Sequence, residues 1–272
     1  MSELAPTEAQ LLLDPVTVRG SALVRTSLLH LAAAGYLRVE ARTKRSWMGT
    51  GGNQVVRGAA VAALPAHLAV VLDALFPPGK PAAPLAPTEM ALRLQKAFGY
   101  DYGRYLTRHI RAPLVDRGLL EVEEYRWLRI FSRTRHRHTP AGERLRAGVA
   151  AEMRVADDVA ELVERDPPRA AAEALKLGGL VLIAEGLRPH LPKLAGATNE
   201  HASAAMFASL DVEAEERRAA WLDSAELLSS IEWASVLDAV GGMADAFDAS
   251  GGDGGGDGGG DGGGGDGGGG GE

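Results

Sequence analysis

The strongest constraint on this chain is a pattern that it states twice. Leu31-Ala-Ala-Ala-Gly35-Tyr-Leu-Arg-Val-Glu40 returns 83 residues later as Leu114-Val-Asp-Arg-Gly118-Leu-Leu-Glu-Val-Glu123. In each copy an apolar helical run ends on a glycine, and a strand-like run begins straight after it. Glycine suits the position just past a helix end, where the backbone turns left-handed. Alternation with a period of two marks a half-buried strand. The sequence therefore predicts a shared helix-plus-wing unit, although so short a match does not prove duplication.

The flanking segments extend both copies. Thr7 to Leu13 reads as a short helix closed by Asp14-Pro15, and Gly20 to Ala34 as a longer one. Tyr36 to Ala41 and Asn53 to Arg57 read as strands joined by a basic, glycine-rich loop. Gly49-Thr50-Gly51-Gly52 in that loop is read as a plain turn. Further on, Pro65 opens a helix through Leu75, and Thr88 caps another that stops at Gly99. Gly103 to Arg117 forms a third helix before Gly118. Leu119 to Glu123 and Tyr125 to Phe131 are the strand-like runs of the second copy, with Ser132 to His138 beyond. Thr139-Pro140 starts a long helix, and Asp166-Pro167-Pro168 starts one that runs through Gly178-Gly179 to Ala184. Glu200 to Leu210 and Glu213 to Val240 are helical candidates.

These readings divide the chain into a helix-plus-wing unit at 1–60, a second winged-helix-like unit with a basic hairpin at 61–145, a helical region at 146–245 and a Gly/Asp-rich tail at 246–272. The fold class is mainly α with small β-hairpins: tandem winged-helix-like units followed by a helical C-terminal part. Residues 251–272 hold 17 of the 35 glycines with four Asp and one Glu, and no apolar side chain. Such a segment cannot offset its ordering entropy by burial and is expected to be disordered. It supplies −5 of the formal charge of −7.

Several chemistries are absent from the sequence. Zero cysteines exclude disulfides, thiolate zinc sites and Cys nucleophiles. No metalloprotease, serine-hydrolase or P-loop motif occurs, so no catalytic residue, cofactor or metal is expected. His136 and His138 lie two apart, but three Arg flank them, which favours a solvated basic strand end. His30 reads as half-buried.

The best functional signal is basic. Eleven of the 24 Arg fall between Arg104 and Arg146, against five acidic residues. Arg104, Arg108 and Arg111, spaced i, i+4, i+7, would form one helical stripe. Arg126, Arg129, Arg133, Arg135 and Arg137 follow in the hairpin, interleaved with Tyr125 and Trp127. Guanidinium groups bind phosphate bidentately, and amphipathic aromatics suit a membrane interface or nucleotide bases. Tyr125, Trp127, Arg129 and Phe131 would share one hairpin face, with Arg126, Leu128 and Ile130 on the other. A hairpin apolar on both sides needs a core on one and a partner or lipid on the other. Trp127, Leu128, Ile130, Arg133 and Arg135 are accordingly the expected membrane or self-association residues.

From Gly20 to Leu194 the order of elements resembles the Golgi phosphoprotein family and its bacterial relatives. The similar pieces are Leu28-Leu-His-Leu-Ala-Ala-Ala-Gly35, Leu114-Val-Asp-Arg-Gly118-Leu-Leu, Trp127-Leu-Arg-Ile-Phe131-Ser-Arg-Thr-Arg135, and Asp166-Pro167-Pro168-Arg169 leading into Ala184. The resemblance implies a mostly helical fold whose protruding hairpin serves self-association and membrane contact. It also implies recognition of phosphatidylinositol 4-phosphate by a Trp and several Arg. Counted from Gly118, Arg104 falls on one family arginine, while the next position is Thr107, with Arg108 beside it. Counted from Gly35, the third position is Val24, with Arg25 beside it, and no Trp precedes Gly35. The run Thr7 to Leu13, the Ala34 to Glu40 piece and the Gly-rich end also resemble the cytosolic part of a bacterial membrane-protein family of unknown function.

Together these readings predict a non-enzymatic adaptor in a bacterial cytoplasm, associated peripherally with membrane. Its partner would be an anionic membrane lipid, a phosphoinositide or another phosphorylated ligand, held by Arg25, Arg104, Arg108 and Arg111. Homo-oligomerisation would run through the hairpin. Winged-helix DNA binding is the runner-up, followed by a protein-interaction scaffold.

Overall fold

A computed structural model describes residues 4–41, 53–58, 64–127, 131–194 and 197. Within them the protein is mainly helical, with two small antiparallel strand pairs. Helices α1 (Pro6–Leu13) and α2 (Gly20–Ala33) lead into strands β1 (Leu37–Ala41) and β2 (Asn53–Arg57). Helices α3 (Ala66–Leu75) and α4 (Pro87–Phe98) precede a helical segment, Tyr105–Arg111, that continues as α5 (Ala112–Asp116). Strands β3 (Leu120–Trp127) and β4 (Phe131–His138) follow, then α6 (Pro140–Leu162), α7 (Pro167–Leu177) and two short 3-10 turns, Gly178–Leu182 and Arg188–His190.

The repeated pattern folds as a repeated geometry. Gly35 and Gly118 both take positive φ, 71° and 66°. The amides of Tyr36 and Leu119 reach back to the carbonyls of Leu31 and Leu114, each at 2.9 Å, which closes the helix ends. Both strands that follow pair with a returning strand, Leu37 with Arg57 and Leu120 with His138 at their bases. A small residue then meets the glycine stop. A Cβ on Gly58 would lie 1.9 Å from the Gly35 carbonyl oxygen, and one on Gly142 would lie 1.9 Å from that of Leu119.

The two units also hold each other. The N-terminus of α2 meets the backbone just ahead of Gly103, since a Cβ on Gly20 would lie 2.6 Å from the Tyr102 carbonyl oxygen. Helix α1 packs on the 105–111 segment, and α3 packs on α2. The connection after α3 places Leu85 on the outer edge of β2, where Val55 and Leu85 exchange two 2.8 Å backbone hydrogen bonds. Conversely, His138 of β4 donates from Nε2 to the Leu12 carbonyl (2.6 Å), just before the connection between α1 and α2. One hydrophobic core runs through both units and on into α6 and α7, from Leu11 and Leu23 to Leu68, Leu114, Val159 and Leu187.

Several sequence expectations are corrected. Helix α4 starts at Pro87, with Ala86 as the capping residue, so Thr88 is not the cap; the fixed φ of proline serves the first helical position. Helix α7 ends at Leu177 and does not run to Ala184, because Gly178 at φ 55° turns the chain. The packing reason for the glycine pair is nonetheless present, since a Cβ on Gly179 would lie 2.7 Å from the Pro6 ring. The strand boundaries also differ: β3 runs unbroken from Leu120 to Trp127 and β4 spans Phe131–His138, so Tyr125 to Phe131 is not one strand-like run. Tyr125 and Trp127 therefore belong to one strand and Phe131 to the other, where it pairs with Trp127. The candidate helices between 200 and 240 and the tail lie outside the described residues.

Candidate functional site

The arginine stripe is broken by the helix that carries it. Tyr105–Arg111 is wound as a π-helix, with the Ala112 amide donating to the Thr107 carbonyl five residues back. Pro113 supplies a local cause: it has no N–H for the His109 carbonyl, and its ring crowds that carbonyl. The wider winding has more residues per turn than the ~3.6 of an α-helix, so a seven-residue step no longer completes two turns. Tyr105 anchors the segment in the core, its hydroxyl 2.6 Å from Ser27 Oγ. Arg104 and Arg108 stay exposed, while Arg111 is half-buried elsewhere.

Arg104 and Arg108 form no ion pair among the described residues. Arg104 lies against the turn after α4, with Nε 3.8 Å from where a Gly99 Cβ would stand. Asp101 fixes that turn by accepting the Gly103 amide at 2.9 Å. The same turn carries Tyr100, 56% exposed. Two unpaired guanidiniums and an exposed tyrosine thus occupy one stretch of backbone.

Arg111 reaches a different place. Its Nη2 donates to the Pro15 carbonyl at 3.1 Å, and its Nε is buried without a partner. Asp14 shapes the turn it meets by accepting the Val16 and Thr17 amides and the Thr17 hydroxyl. Between this turn and β4 lies a cavity of about 710 Å³, lined by Pro15, Val16, Arg111, Glu123 and the run Thr134–Arg137. Three arginines face one carboxylate there, and that carboxylate is engaged, because Arg137 Nε lies 2.7 Å from Glu123 Oε2. Burial, then the charge of Arg111, lowers the pKa of His136. The guanidinium of Arg111 is itself pushed down by burial.

Arg25 joins neither place. Its Nε is buried without a partner, and its charge helps lower the pKa of Arg188, after burial. Arg188 is 15% exposed, with Glu185 Oε1 3.7 Å away. Of the four expected head-group residues, Arg104 and Arg108 thus share a surface, Arg111 lines the cavity, and Arg25 sits by Arg188. Of the expected hairpin residues, Arg135 lines the cavity, Trp127 pairs with Phe131 and Arg133 pairs with Tyr125. Leu128 and Ile130 lie outside the described residues, as does the Gly49–Gly52 turn.

His138 is more enclosed than its sequence setting suggests, whereas His30 is half-buried as expected. His138 is 17% exposed and bonded to Leu12, so it is no solvated strand end. His30 and His67 each keep a buried ring nitrogen without a partner. Burial, and secondarily the charge of His67, lowers His30 to about 4. Among the described residues no three His, Asp or Glu side chains converge as a metal site, and no helix is long and apolar enough to cross a membrane. No protein-family model matches the chain, and no curated protein matches it.

Proposed function

We propose that the protein is a non-enzymatic adaptor that rests on anionic membrane surfaces through the face bearing Arg104, Arg108 and Tyr100. The observation that carries this reading is the exposure of both guanidiniums, which form no ion pair among the described residues, on the same stretch of chain as an exposed tyrosine. Anionic membranes reward each nearby basic residue by about 1 kcal/mol. Tyrosine adds a ring that prefers the head-group level. In this reading the helices and hairpins form tandem winged-helix-like units followed by a helical C-terminal part, phosphoinositide and other phosphorylated head groups are the ligands, and the hairpin mediates self-association. The resemblance to the Golgi phosphoprotein family points the same way.

The test is flotation with phosphatidylserine vesicles, with and without phosphatidylinositol 4-phosphate. Reversing both charges, Arg104→Glu with Arg108→Glu, should abolish flotation while leaving the thermal midpoint unchanged. Flotation that survives this double reversal would sink the proposal. DNA binding is the second reading, favoured by the order α3, α4, third helix, hairpin, with Arg104 and Arg108 near the start of the third helix. A mobility shift on duplex DNA that persists at physiological salt would select it.

A further inference from the structure

The outer edges of the two hairpins differ in what covers them. At β2 the edge is taken by Leu85, which pairs with Val55 through both of its backbone groups. No such pairing exists along β4 among the described residues. The cavity described above borders β4: Thr134–Arg137 and Glu123 of β3 line it together with Arg111, Pro15 and Val16. An exposed strand edge is a template for another strand, and its side chains decide which strand it accepts.

Those side chains are selective. Arg137 is satisfied by Glu123, but Arg135 is exposed and forms no ion pair among the described residues, and Arg111 has spent one Nη on Pro15 and keeps an Nε with no partner among them. A second copy of β4 would set Arg135 and Arg137 against their own kind, which is repulsive across paired strands. Carboxylates would be attracted. Neighbouring residues of a strand point to opposite faces. Arg135 projects from one face of β4, and Arg111 perturbs His136, which projects from the other. Two consecutive acidic residues on an added strand would therefore reach one arginine each. Val16, 62% exposed, offers an apolar contact beside them.

We propose that the outer edge of β4 is a docking site for an extended acidic segment of a partner protein, which adds as a strand along Thr134–Arg137 and places adjacent carboxylates on Arg111 and Arg135. This surface does not include Arg104 or Arg108, so it stands or falls apart from the membrane reading.

The full chain is titrated with a labelled peptide, Thr-Val-Thr-Glu-Glu-Val-Thr-Val, followed by fluorescence anisotropy at low ionic strength. Saturable binding is expected, weakened about tenfold by Arg135→Gln and again by Arg111→Gln, and unchanged by Arg104→Glu. Arg135 is exposed, so its variant stays informative should Arg111→Gln disturb the Pro15 turn. A peptide with N-methylated amides keeps the charges and loses the strand donors, and should bind at least tenfold more weakly. Equal affinity for the methylated peptide would reduce the site to a plain anion attractor and overturn the proposal. So would the absence of saturable binding, or an Arg104→Glu effect as large as that of Arg135→Gln.

Discussion

The two helix–hairpin units share a glycine stop and an antiparallel strand pair, and they differ in the helix that feeds the hairpin. With the glycine stops aligned, His30 of α2 corresponds to Pro113, Leu28 to Arg111 and Arg25 to Arg108. Helix α2 runs in regular α winding through His30, and Leu28 is buried in the core. In the second unit Pro113 accompanies π winding, and Arg111 lines a cavity. The edges differ in the same sense, since β2 is capped by Leu85 while β4 has no such pairing among the described residues. A shared scaffold thus tolerates a change from sealed to open through a few side chains, provided that the glycine stops and their contacts are kept.

The largest expected effect tests the equivalence itself. Gly58→Ala and Gly142→Ala each drive a methyl into a carbonyl oxygen at 1.9 Å, where the backbone itself must move. Each should destabilise by about 3 kcal/mol or more, seen as a drop of at least about 6 °C in the thermal midpoint. A mild effect at one site and a severe one at the other would show that the two junctions are not equivalent.

Acid should act next, through the position where the copies diverge. His30 has a folded pKa of about 4, below the ordinary 6.5, whereas proline at 113 cannot titrate. The unfolded chain binds this proton first, so the stabilisation is whole above about pH 6.5 and is lost as pH falls toward 4. The loss attributable to His30 is about 3 kcal/mol. Denaturant melts across that range should flatten in His30→Asn relative to wild type, and parallel curves would contradict the assignment.

A smaller effect concerns the winding. Pro113→Ala restores the missing amide and should let the segment tighten toward α geometry, shifting Arg111 away from Pro15. Stability should change by no more than about 1 kcal/mol, because the regained hydrogen bond offsets the freer unfolded chain. Acidic-peptide affinity should nevertheless fall severalfold. Retained affinity together with unaltered backbone chemical shifts at 105–111 would mean that proline does not set the π winding. Smallest of all, Arg25→Gln removes a like charge near Arg188 and should raise stability by a few tenths of a kcal/mol. The matching Arg108→Gln should leave stability unchanged and weaken flotation. The opposite pattern would remove the distinction drawn between these two arginines.

Much of the fold was legible because its signals are local. The glycine stops at Gly35 and Gly118 and the β1–β2 pair follow from short-range patterns. So do the capped starts of α6 and α7, where Thr139 and Asp166 accept the amides of Gly142 and Arg169 at 3.0 and 3.2 Å. The π winding had a visible cue in Pro113, but helical periodicity alone assumed regular turns. Leu85 could not be read as a strand, because a single paired residue within a proline-rich loop has no periodicity. The cavity was illegible for a different reason. Pro15 and Arg111 meet across 96 positions of chain, and only the packing of the two units on each other brings them together. Arg135 was found from composition, while its neighbour Val16 carried no signal at all.

The reciprocal hold between the units bears on how the chain can be divided. Leu85 completes an edge that belongs to β2, and His138 fastens to the chain at the end of α1. A cut between Gly58 and Leu64 would divide the shared core and leave each piece with a groove shaped for the other. Such pieces should be unfolded apart and recover structure when mixed, so the protein is suited to fragment complementation, with the severed joint as a natural place to split a reporter.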